Sequence, residues 1–333
     1  MKRFGYTDLK QQTAVCLSQA TYSPKRLVLL HTGASLLLSL IMAALDLLLS
    51  QQIGSTGGLG GVDRRALLTT VQSALRLARA AALPFWTMGY VHLTLQLSQE
   101  EPIGPGDLLE GFRRFGPVLR LTMLELTLLL GVGFFGSQIG AILFYLTPWA
   151  QPMLDALLPA LAAGGETTDI STMLLVLEQL PTSVQLCYYA FIIGASLLFA
   201  IPVFYRFRLA RLHLMDYPKR GAMRALMYSA KHMKGNYLAM LRLDLHFWWY
   251  HGLSLLAAGL AYGDTIARTL GLSLPWSEDV GYYIFFLLYA CATLLLHAWR
   301  RNEVKLTYVN AYHLLDDPPA EPPRPTKVPW TYE

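Results

Sequence analysis

Residues 117–146 read PVLRLTMLELTLLLGVGFFGSQIGAILFYL, and the stretch carries only two charges, Arg120 and Glu125. A helix of this length spans about 45 Å, more than the roughly 30 Å hydrocarbon core of a bilayer. It is apolar all round, without the single stripe of a helix lying on a soluble core. A barrel strand is excluded, since such strands run about 10 residues and alternate in polarity.

Five further runs, about residues 27–49, 80–97, 184–205, 245–262 and 280–299, have the length a spanning helix needs. The whole chain agrees with them. Of its 333 residues 54% are hydrophobic and 15% charged, and mean hydropathy is +0.37. Soluble domains carry about 25% charged residues, so a water-facing surface could not be covered here. The expected fold is all-α, a polytopic membrane bundle of about six transmembrane helices with interfacial amphipathic helices. Residues 1–26 are expected to form a cytoplasmic N-tail, 27–315 the membrane domain, and 316–333 a Pro-rich disordered C-tail. The first apolar run is longer than a signal-peptide core and is read as an uncleaved span.

The basic residues orient the bundle. Of 27 Lys and Arg, 22 fall on the side that holds both termini and five on the other, which places the termini in the cytoplasm. The exception on the outer side is Arg64, Arg65, Arg76 and Arg79, read as part of an interfacial helix entering the second span. The long outer loop, residues 147–182, suggests two short amphipathic helices separated by Gly164 and Gly165.

Residues 206–244 are the densest candidate, RFRLARLHLMDYPKRGAMRALMYSAKHMKGNYLAMLRLD. Pro218 and Gly221 end one helix and start another. Ala222, Ala225, Leu226, Ser229 and Met233 share one small-apolar stripe, while Arg224, Lys231 and Lys234 point elsewhere. Arg206, Arg208, Arg211, Lys219, Arg220, Arg224, Lys231 and Lys234 are the expected contacts for anionic lipid or a membrane protein partner. The basic balance, pI near 9.0, is explained by this face, with no call for nucleic acid.

Charged and polar groups inside the spans are costly and therefore candidates for function. Glu125 lies about two turns into the third span, His92 in the second, and Asp244 at the mouth of the fifth beside His246 and His251. Asp46, His31 and His297 are read as interfacial. No HExxH, CxxC or P-loop spacing is present, so no metal and no cofactor are expected. The soluble segments are too short for an active site of their own, so the chain is read as non-enzymatic. The alternative is a small-solute or ion transporter using Glu125 and His92.

Several blocks carry a family resemblance. Ser229, Met233-Lys234-Gly235, Leu243, Asp244, Phe247 and Trp249 form one, and TYVNAYHLL, residues 307–315, another. LPFWTMGYVHLTL and DLLEGFRRFGPVLRL, residues 83–95 and 107–121, add two more. From about Leu27 to Leu315 the chain resembles the bacterial integral-membrane family known as domain of unknown function 975. The long acidic outer loop and the Pro-rich tail depart from it. The resemblance implies a bacterial cell-membrane protein. A more distant likeness to membrane domains attached to glycerophosphodiester phosphodiesterases implies dealings with lipid. It implies no catalytic residue. On the residues themselves, Gly235 is expected to supply a left-handed helix stop, and Asp244 to hold a partner at the interface.

Overall fold

A computed structural model describes residues 6–55, 61–162, 180–269, 275–276 and 278–315. Among them all regular structure is helical and no strand occurs. The expected C-tail lies outside the described residues, as do the second outer-loop helix with Gly164 and Gly165 and most of the Gly-rich stretch after Ser55.

Four helical stretches are long and apolar enough to cross a membrane: Pro24–Leu49, Phe115–Tyr145, Thr182–Asp216 and Val280–Leu315. Their most apolar windows are 28%, 11%, 0% and 11% buried, so their carbon surface faces outward, as lipid-facing helices require. The expected second and fifth spans do not reach this standard. Residues 80–97 belong to a helix whose end mixes in His92, Thr94, Gln96 and Ser98. The run 245–262 is broken at Phe247, which leaves a helix of 13 residues, Trp248–Leu260, about 20 Å long.

The chain divides into two compact units, Met1–Leu119 with Leu209–Glu333, and Arg120–Arg208. The first begins with α1 (Tyr6–Gln19), then α2 (Pro24–Ser55) and α3 (Gly61–Ser98). The N-tail is thus a packed element: Leu9 and Thr13 of α1 are buried. Helices α2 and α3 run antiparallel, tied by an Asp46–Arg76 ion pair at 2.8 Å and an Arg79–Ser39 hydrogen bond. Arg76 therefore sits inside the continuous helix α3, with a carboxylate partner.

A 3-10 turn at Pro105–Leu109 and the short α4 (Glu110–Arg113) fold back across α3. Two glycines make that crossing. A Cβ on Gly89 would lie 1.8 Å from the Leu108 carbonyl oxygen, and one on Gly111 1.9 Å from that of Phe85. Only hydrogen fits where these backbones meet. Leu27, Val28, Leu93, Leu97, Ile103, Leu108 and Leu306 form the core around them.

The second unit is built on α5 (Phe115–Tyr145, entering from the first unit), α6 (Gln151–Ala162) and α7 (Thr182–Phe207). Helix α6 is the first of the expected outer-loop helices. Antiparallel α5 and α7 also meet through glycine: a Cβ on Gly136 would lie 2.7 Å from Ser196 Cα, and one on Gly140 2.6 Å from the Phe191 carbonyl oxygen. Phe144, Ala150, Met153, Leu180 and Val184 close one end.

The first unit resumes with α8 (Ala210–Asp216), α9 (Ala222–Met233), α10 (Tyr237–His246), α11 (Trp248–Leu260), α12 (Gly263–Thr269) and α13 (Glu278–Leu296). A π turn at His297–Arg301 leads into α14 (Asn302–Leu315). Gly221 at φ 78° starts α9 and Gly235 at φ 85° follows it, the left-handed conformation expected of Gly235.

Candidate functional site

Helix α9 shows why the basic segment folds as it does. Its buried residues are Ala222, Ala225, Leu226, Ser229 and Met233, the small-apolar stripe visible in the sequence. The stripe is spent on protein packing, for Ser229 accepts the Leu209 backbone N–H at 3.1 Å. The opposite face is exposed and mixed. Met223 and Met227, 56% and 58% exposed, alternate there with Arg224 and Lys231, and Arg220 and Lys234 flank the ends. Arg211 and Lys219 are exposed just before it. Next in the chain, α10 exposes Leu238, Leu241 and Leu245, and Trp248 follows. Arg206 and Arg208 belong to the second unit, their guanidinium groups over the rings of Phe207 and Tyr205.

Helix α14 is the hub of the first unit, with ten of its residues buried. Two of its tyrosines, one turn apart, each bridge an aspartate and a histidine. The Tyr308 hydroxyl donates to Asp244 and accepts from His251 Nε2 at 3.2 Å. The Tyr312 hydroxyl donates to Asp216 at 3.1 Å and accepts from His213 Nδ1 at 3.3 Å. Asn310 donates to the Thr13 hydroxyl at 3.1 Å, and Thr307 lies 3.2 Å from that same oxygen. Asp244 is therefore a partner of α14, and the TYVNAYHLL block joins α1, α8, α10 and α11.

His92 is half-buried on α3, and Glu125 is half-buried on α5 in the second unit. A groove of about 490 Å³ in that unit is lined by Ile139, Leu143, Ala190, Phe191, Gly194, Ala195, Leu198 and Phe199, mostly carbon surface. Glu125 is not among them. Near His92, Glu110 accepts from Arg114 at 2.8 Å and Arg113 at 3.3 Å, and Arg114 also donates to the Met215 carbonyl. Burial alone would raise the Glu110 carboxyl. The bonds and charges of Arg114 and Arg113 outweigh it and hold the group below its usual range.

One cluster was not apparent from the sequence. His31 is buried, stacked against Trp86 and Tyr90, with Trp86 Nε1 donating to the His31 carbonyl at 3.1 Å. Tyr90 donates to Asn302 at 2.8 Å. On the π turn, Arg301 Nη1 donates to Thr32 Oγ1 at 3.0 Å and to His297 Nδ1 at 3.1 Å. His297 Nδ1 is therefore an acceptor. The Arg301 guanidinium lies 4.5 Å from the Tyr90 ring centroid. His31 and His297 are 266 positions apart, and each alone reads as a helix-end histidine.

Among the described residues no group of three or more His, Cys, Asp or Glu side chains is placed to hold a metal ion. No curated protein and no solved structure matches the chain. A family match covers residues 24–289, which takes in both glycine-crossed hairpins and the α8–α11 segment and stops before the TYVNAYHLL block. By that match the chain belongs to the family described as protein of unknown function (DUF975).

Proposed function

We propose that this is a non-enzymatic multi-pass membrane protein that binds anionic lipid through the exposed face of α9 and the adjoining α10. The observation that carries the reading is the division of α9. Its small-apolar stripe is consumed by the protein, yet the opposite face still offers methionines among basic residues. A face of that kind suits the headgroup layer, where methylenes and cations are both favoured. The exposed Leu238, Leu241, Leu245 and Trp248 extend it toward the acyl region.

In this reading residues 80–97 of α3 and the run 245–262, which contains α11, complete six spans alongside the four long helices. Both termini and α9 lie on the cytoplasmic side of a cell membrane, as 22 of the 27 basic residues favour. No observation favours transport through Glu125 and His92.

The test is lipid binding by the full chain in neutral detergent, wild type against Arg224→Gln/Lys231→Gln/Lys234→Gln. Phosphatidylglycerol should bind in preference to phosphatidylcholine, more weakly in salt, and the triple variant should lose most of the salt-sensitive part. Equal binding of both lipids by both proteins would sink the proposal.

A further inference from the structure

Two adjacent arginines on the π turn are treated differently by the fold. Arg300 pairs with Glu303 and lies over Trp299 and Trp249, 5.0 and 5.9 Å from their centroids. Arg301 pairs with no carboxylate among the described residues, although it is half-buried and lies over the Tyr90 ring. A cation so placed without a counter-charge is costly, which marks such residues as functional. Its protein hydrogen bonds all leave from Nη1, to Thr32 and His297. Those bonds and the Tyr90 ring fix the guanidinium and leave its Nε and Nη2 without a partner among the described residues. That edge is the pair of parallel N–H donors that takes a carboxylate or phosphate in bidentate fashion.

The depth of the site selects between these anions. The Trp249 and Trp299 rings pack 5.5 Å apart, and Trp299, itself on the π turn, is 60% exposed. Exposed tryptophans of this sort mark the headgroup level. One turn on from Arg301, Lys305 is exposed, so the neighbourhood is positive.

We propose that Arg301 anchors a phosphate-binding site at the membrane surface, its Nε–Nη2 edge gripping the phosphodiester of an anionic phospholipid. The proposal rests on the membrane reading, and is independent of the α9 face.

Full-length wild type, Arg301→Gln and Arg300→Gln in neutral detergent would be titrated with dioleoylphosphatidylglycerol and, separately, with inorganic phosphate. Native mass spectrometry would read the adducts. In the background of the α9 triple variant, which removes the salt-sensitive binding at the other surface, one saturable lipid adduct is expected with Arg301 and with Arg300→Gln, weakened at least tenfold with Arg301→Gln. Arg301→Lys, which keeps the charge and loses the fork, should fall between. Arg301-dependent binding of inorganic phosphate without lipid would support the same chemistry with a free anion as its source. Equal binding by wild type and Arg301→Gln with both probes overturns the proposal, as does absence of binding in all three. If Arg301→Gln does not accumulate, Thr32→Val removes one of the two bonds that hold Nη1 and carries the comparison: a threefold or greater loss is expected, and unchanged binding overturns it. The α9 triple variant reports on the other surface, so the two readings can fail separately.

Discussion

The two compact units solve the same problem by different means. Both rest on glycine-mediated helix crossings: Gly89 and Gly111 in the first, Gly136 and Gly140 in the second. Around its crossing the first unit adds polar chains that fix one arrangement, the Tyr308 and Tyr312 bridges and the Arg301 cluster. The second adds mainly carbon surface, with long stretches of α5 and α7 exposed. A helix pair with apolar outer faces is held in place by lipid as much as by its own contacts. The lesson is that side chains are held in defined positions mainly in the first unit, which is where the proposed lipid contacts lie.

The largest test of this contrast is a matched pair of glycine substitutions. Gly89→Leu forces backbone apart inside the cross-linked unit and should cost at least about 3 kcal/mol, abolishing accumulation in the membrane. Gly136→Leu loosens α5 from α7 but leaves faces that lipid still accepts. It should lower the thermal midpoint in detergent while the protein still accumulates. The reverse order would break the comparison.

A smaller effect is expected from the bridging hydroxyls. Tyr308→Phe and Tyr312→Phe should each cost about 1–3 kcal/mol, since each strips a shared partner from a carboxylate and an imidazole. In the second unit Tyr188 packs edge-on against Phe144, and Tyr188→Phe should stay within about 0.5 kcal/mol. Thermal unfolding of the three variants decides it; equal shifts would remove the distinction between the units.

The smallest is a pH effect at Glu110. Its folded-state value lies below the ordinary 4.5, so its stabilising contribution is complete above that value and fades as pH falls through the lower one. Glu110→Gln should therefore be less stable than wild type at neutral pH, with the gap closing on acidification below about 4.5. A gap constant across that range would contradict the Arg114 and Arg113 pairing as its source.

Much of this was readable from the chain. The long apolar runs located α2, α5, α7 and α13, because a lipid-facing helix needs no periodicity. The stripe from Ala222 to Met233 and the left-handed Gly235 followed from spacing and residue type. The break at Phe247 did not, since an apolar run conceals where one helix stops and the next begins. Helix α1 reads as a tail because its residues are mostly polar, and only the burial of Leu9 and Thr13 shows it to be a packed element. The Arg301 cluster and the Asp–Tyr–His bridges join residues up to 269 positions apart. Only tertiary packing brings them together.

The account depends most on the exposed face of α9 lying on the bilayer surface. A bimane fluorophore on Met227→Cys, with Cys16, Cys187 and Cys291 replaced by serine, would report this in phosphatidylglycerol-containing vesicles. The account predicts quenching by headgroup-level nitroxide lipids at Met227→Cys, and by acyl-chain nitroxides at Leu256→Cys on α11. Full quenching of Met227→Cys by aqueous iodide, with none from either lipid, would contradict it.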